Sequence, residues 1–157
     1  MRATRAERAE SPATYEAWRA RGGPALLLAK PRTFMNASGV AVAELLGREP
    51  VSLGALLVIC DDVNLPLERV RLRPRGSDGG HNGLLSVGEE LGTTEFPRLR
   101  LGVGPRPAET TLTEFVLEEF PENEGDAVGA LVERGAEAAL AFAREGLEAA
   151  MREFNGE

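Results

Sequence analysis

The residue types best suited to chemistry fall in one stretch, Ile59–Gly83, which reads I-C-D-D-V-N-L-P-L-E-R-V-R-L-R-P-R-G-S-D-G-G-H-N-G. Two adjacent carboxylates, Asp61 and Asp62, follow an apolar run, and a glycine loop then delivers the chain's one histidine, His81, beside Asn82. An acid, an imidazole and an amide on flexible backbone suit a hydrolytic or ester-handling site. The carboxylate can hold an imidazole in one tautomer and support its charge, and the amide can orient a carbonyl. A second amide, Asn36, ends the segment Lys30-Pro31-Arg32-Thr33-Phe34-Met35-Asn36. At a strand end, in the same layer as Asp61, it could orient a carbonyl or a ribose hydroxyl.

Each group also has a plainer reading. Asp61 and Asp62 suit a turn or a helix cap, Asn82 suits the cap of a following helix, and Phe34 and Met35 suit a core. The loop Gly76–Gly83 lacks the Lys-Ser/Thr ending of a Walker loop, and its glycines do not match a dinucleotide fingerprint. Arg69-Val70-Arg71-Leu72-Arg73 and Arg98-Leu99-Arg100-Leu101-Gly102-Val103 alternate strictly, as strands with one apolar face and arginines opposite. That arginine face is either solvated or a phosphate-facing stripe, with Arg32, Arg75 and Arg106 at its margins.

The elements that must position these groups alternate between strand and helix. Thr14–Ala20 and Ala25–Ala29 read as strands around an Arg21-Gly22-Gly23-Pro24 turn, the second covered on both faces. Ser38 is placed to cap a helix running to Arg48, and Ala55–Cys60 reads as another fully apolar strand that ends at the two carboxylates. A helix follows over Asn82–Leu91, then a short one over Thr113–Phe120. A long amphipathic helix spans Glu122–Phe154 with an interruption near Gly135. This order implies an α/β layered fold with functional groups at strand C-terminal ends.

At 157 residues and 43% hydrophobic content, the chain is expected to form a single domain with a packed core, its first 13 residues frayed or disordered. No apolar run reaches membrane-spanning length. The single cysteine, Cys60, excludes an intrachain disulfide, reads as a small core residue and points to a cytoplasmic setting. The net charge of −7 is unevenly placed: residues 108–157 hold thirteen acids and three arginines, −10, so the first 107 carry +3. Phosphate contacts are local, so overall acidity does not exclude an RNA partner.

Three islands in order, Lys30–Val42 (K-P-R-T-F-M-N-A-S-G-V-A-V), Asp61–Gly83 and Phe96–Pro107 (F-P-R-L-R-L-G-V-G-P-R-P), with the ending E-G-L-E-A-A-M-R-E-F-N, resemble bacterial peptidyl-tRNA hydrolase. The resemblance implies a three-layer α/β/α sandwich around a mixed, mainly parallel sheet, with the C-terminal helix on the core. It implies hydrolysis of the ester joining a peptide to the 3′ end of tRNA, without metal or organic cofactor, by a monomer that engages the acceptor stem. On this match Asn36 orients substrate, Asp61 is the acid that hydrogen-bonds the catalytic histidine, and Asn82 positions the water or the carbonyl. Phe34, His81, Arg71 and Arg100 join Asn36 and Asn82 as expected substrate or tRNA contacts. Family members also carry Gly-Asn-Pro-Gly at the end of a first strand and then Thr-Arg-His-Asn, whose histidine is the general base; neither motif occurs in these 157 residues. The expectation is therefore an N-terminally shortened enzyme with open sheet edges, lower stability and reduced activity. The alternative is a non-catalytic RNA-binding relative that kept the fold.

Overall fold

The computed structural model describes residues 5–156, and their packing gathers into two units. The first holds Met1–Leu56 and Arg75–Phe96, the second Leu57–Pro74 and Pro97–Glu157.

In the first unit, β1 (Arg5–Ala9), β2 (Tyr15–Arg21) and β3 (Leu27–Pro31) form an antiparallel sheet in that order. Arg5–Ala9 is thus an edge strand rather than frayed chain, while residues 1–4 lie outside the described residues. Tyr15 and Ala17 alternate inward from β2 and are buried with Ala41 of helix α1 (Ser38–Arg48). The expected double cover of Ala25-Leu26-Leu27-Leu28-Ala29 is not found: β3 is an edge strand, and Leu28 is 42% exposed. An apolar run is buried on both faces only where elements pack over both sides of the sheet, and β3 is an edge strand whose residues are mostly exposed.

Helix α2 (Asn82–Leu91) packs against α1 at a point where side chains are nearly absent. A Cβ on Gly39 would stand 2.2 Å from the Ser86 carbonyl oxygen, and the Gly39 N–H donates to Ser86 Oγ at 2.9 Å. Ser38 does not cap α1. Ala37 occupies the cap position, and Ser38 Oγ donates to the Met35 carbonyl at 2.8 Å, closing the 3-10 turn Met35–Ala37 onto the helix.

In the second unit, β6 (Arg98–Gly104) lies between β4 (Val58–Pro66), parallel to it, and β5 (Val70–Arg73), antiparallel. The α/β class and a mixed sheet hold; of the four strand pairings among the described residues, β4–β6 is the parallel one. Val70, Leu72 and Leu99 present one face to Leu131, Ala138 and Ala141 of α4 (Gly125–Glu145), and to Ala150 and Phe154 of α5 (Leu147–Phe154). Each such leucine or phenylalanine contributes about 1.5–3 kcal/mol on burial, so the C-terminal helices do close this core.

The helix break falls at Gly146, whose φ of +87° suits glycine, rather than at Gly135. Gly135 is mid-helix for a packing reason: a Cβ there would lie 2.9 Å from Leu101 Cδ2. Helix α3 (Leu112–Leu117) starts one residue before the expected position because Thr111 and Glu114 form a reciprocal capping box. At the free edge of β5, Asn155 takes the place of a strand: its Oδ1 accepts from Leu72 N–H at 2.8 Å, and its Nδ2 donates to the Leu72 carbonyl at 2.9 Å.

Candidate active site

The first unit brings two of the expected amides onto adjoining segments. Asn36 lies in the 3-10 turn Met35–Ala37, Asn82 is the first residue of α2, and the turn packs against that helix. Both asparagines are exposed, as are Phe34 at 87% and Met35 at 57%; these two are not core residues. The join is made at Gly83, which is buried: a Cβ there would stand 2.7 Å from Met35 Sδ and 2.8 Å from His81 Cε1. Glycine at this one position lets the thioether and the imidazole lie over the helix start.

The loop before α2 is folded by Asp78. Its Oδ1 accepts the Gly80 N–H at 2.8 Å, and its carbonyl accepts the His81 N–H at 3.0 Å. Gly79 and Gly80 take φ of +61° and +85°, left-handed conformations that glycine adopts without steric cost. Asn82 does not cap α2. His81 does, through an imidazole nitrogen that accepts from Gly83 and Leu84. Met35, Asp78 and Gly83 were not singled out from sequence; the Asp-Gly-Gly run carried a turn signal, whereas the approach of Met35 to Gly83 carried none.

In the second unit, Asp61 and Asp62 lie within β4, which continues to Pro66 instead of ending at the carboxylates. Regular pairing with β6 does stop there, with a register shift between Asp62 and Pro66. Alternation puts Asp61 on the face opposite Cys60 and Asp62. Asp62 is already occupied: its Oδ2 lies 3.5 Å from Arg100 Nη1, and its Oδ1 accepts the Asn64 N–H at 2.8 Å. Of the adjacent carboxylates, the second thus serves structure.

The arginine face divides likewise. Arg71 and Arg73 are exposed on β5, but Arg98 is 1% exposed and Arg100's side chain 14%, because β6 is the central strand. A solvated or phosphate-facing stripe therefore holds for the β5 arginines and fails for Arg98, with Arg100 turned to Asp62. Burial, then the nearby Arg100 charge, lowers the Arg98 pKa from its ordinary value. Cys60 is the Cα partner of Arg100 across β4–β6, and burial pushes its thiol up to about 11 despite that guanidinium. Among the described residues no group of three or more His, Cys, Asp or Glu is placed to hold a metal ion. Nor is any helix there long and apolar enough to cross a membrane.

The fold is α/β, and its first unit presents exposed amides at a helix start. Such amides suit a hydrolase of polar, carbonyl-bearing substrates. The family model described as Peptidyl-tRNA hydrolase matches residues 2–157. The peptidyl-tRNA hydrolase of Chlorobaculum parvum is 45% identical over 143 residues, 90% of this chain and 75% of that protein. That of Salinibacter ruber is 46% identical over 128 residues, covering 82% of this chain and 68% of the relative. The crystal structure of peptidyl-tRNA hydrolase from Acinetobacter baumannii superposes with a TM-score of 0.83 at 25% identity, over 96% of this chain and 78% of that one. The chain belongs to the peptidyl-tRNA hydrolase family.

Proposed function

We propose that the chain hydrolyses the ester between a peptide and the 3′ ribose oxygen of tRNA in the cytoplasm. Water oxygen attacks the ester carbonyl carbon, the bond from that carbon to the 3′ oxygen breaks, and the leaving oxygen ends with a proton from water. The products are a peptide acid and tRNA with a free 3′ hydroxyl. An ester needs less activation than an amide, so positioned water, a proton acceptor and a donor aimed at the developing oxyanion suffice.

The observation that carries this reading, beyond family membership, is the pair of exposed amides Asn36 and Asn82 on segments that meet at Gly83. Asn36 orients the ester-bearing end of the substrate, Asn82 donates to the carbonyl or holds the water, and Phe34 offers an exposed ring to the terminal base or the peptide. Asp62 is committed to Arg100, and Asp61, on the opposite face of β4, is the acid of the reaction. Arg71 faces the acceptor-stem phosphates, and the protein acts as a monomer.

The test is single-turnover release of peptide from peptidyl-tRNA by the wild type and by N36A and N82A. Each variant is expected to lose about 100-fold or more in rate, the range for removing one donor to a developing oxyanion. Rates equal to wild type in both variants would remove the amides from the reaction.

A further inference from the structure

We propose that His81 is a positioning residue that acts through Asn82, with its imidazole serving as the N-cap of α2. The proposal rests on the reading of Asn82 given above and says how that amide is aimed. His81 has extended backbone, φ −83° and ψ 112°, and helical structure begins at Asn82. Its Nδ1 accepts the N–H of Gly83 at 3.1 Å and the N–H of Leu84 at 3.2 Å. A helix start leaves four N–H groups without intrahelical partners, and the one side chain satisfies two of them. Asn82 lies inside the ring that these bonds close, so its backbone direction is set by the imidazole before any substrate arrives.

The His81 backbone is held from both sides as well. The His81 N–H donates to the Asp78 carbonyl, and the His81 carbonyl accepts the Leu85 N–H, each at 3.0 Å. Across the helix start, Met35 Sδ and the imidazole share the space that a Cβ on Gly83 would enter. A nitrogen that accepts carries no hydrogen, so the neutral ring in this arrangement has its hydrogen on Nε2. Nδ1 is spent on the backbone, so that nitrogen is not a proton acceptor for water. Ser, Thr, Asp and Asn are the usual caps, and asparagine can reproduce the acceptor without the ring.

The test compares H81N, H81A and H81Q by amide hydrogen exchange at Gly83 and Leu84, and by kcat and KM for peptidyl-tRNA. In H81A and H81Q exchange of both amides is expected to accelerate about tenfold or less, the equivalent of a lost cap. In the same two variants kcat should fall about tenfold or more, with KM changed far less, because the amide is misaimed at the transition state. H81N should recover most of both losses. Unchanged exchange in H81A would overturn the cap. Restored exchange in H81N with activity as poor as H81A would overturn the positioning role, by placing the ring itself on the substrate. Absence of hydrolysis by the wild type would instead count against the proposed reaction. The cap and its hold on Asn82 would then be decided by the exchange data and the Asn82 side-chain amide resonances: altered in H81A and restored in H81N if right, unaltered throughout if wrong.

Discussion

Arg100 and Asp62 face each other at 3.5 Å from adjacent parallel strands, with side chains 14% and 10% exposed. At that depth neither group is well hydrated, and removing one leaves the other charge buried. R100Q and D62N are each expected to destabilise the fold by about 3 kcal/mol, with the double variant losing less than the sum. Urea midpoints of the four proteins check this. Strict additivity would mean that the two groups are not coupled.

Arg71 lies directly opposite Arg100 in the β5–β6 register, yet it is exposed where Arg100 is held. R71Q should therefore leave stability within about 0.5 kcal/mol while weakening tRNA binding. It should also reduce the slope of log affinity against log salt by about 1. Titrations at several salt concentrations read the slope directly, and an unchanged slope would leave Arg71 as solvated surface.

Cys60 predicts a pH dependence with a definite sign. Burial raises its thiol from an ordinary 9.0 to about 11, so the folded state favours the neutral form more than the unfolded chain does. Nothing is lost below pH 9, and stability falls as pH climbs from about 9 through about 11, by roughly 2–3 kcal/mol at full ionisation. The C60A variant should lack that share of the alkaline loss. At pH 8 the native thiol should alkylate far more slowly than the denatured one, and equal rates would contradict the burial.

Two glycines of α1 make a controlled pair. Gly39 meets the Ser86 backbone, whereas Gly47 has nothing within 4 Å of a built Cβ. G47A should be neutral or stabilising by up to about 1 kcal/mol from helix propensity. G39A should lower stability by about 3 kcal/mol or more, because backbone must move. Similar melting temperatures for the two would contradict the close helix approach.

The sequence disclosed α1 and α2 closely, with each cap placed one residue too late, since the apolar period is clear and the flanking turns are not. It misled wherever an element's neighbours decide the outcome. The apolar run before Lys30 reads as a covered strand, but coverage depends on elements packed over both faces of the sheet, which local composition does not encode. Arg98 and Arg100 alternate with leucines like Arg71 and Arg73, and only the central place of β6 buries them. Asn82 looked like the cap of α2, and the turn built on Asp78 moved that task to His81. For the site, residue types indicated the amides and the acid, while the convergence of Met35, Gly83 and His81 required coordinates.

The one histidine of these 157 residues, His81, is committed to the helix cap, so the general base is the step with the least side-chain support. General-base contributions run about 10²–10⁴-fold. The most direct measurement is single-turnover cleavage of peptidyl-tRNA by this chain and by the Chlorobaculum parvum relative, under the same conditions. The account predicts ester cleavage above the uncatalysed rate, slower than the relative by about that factor and abolished to background by N82A. Tight tRNA binding with no cleavage above background would contradict it.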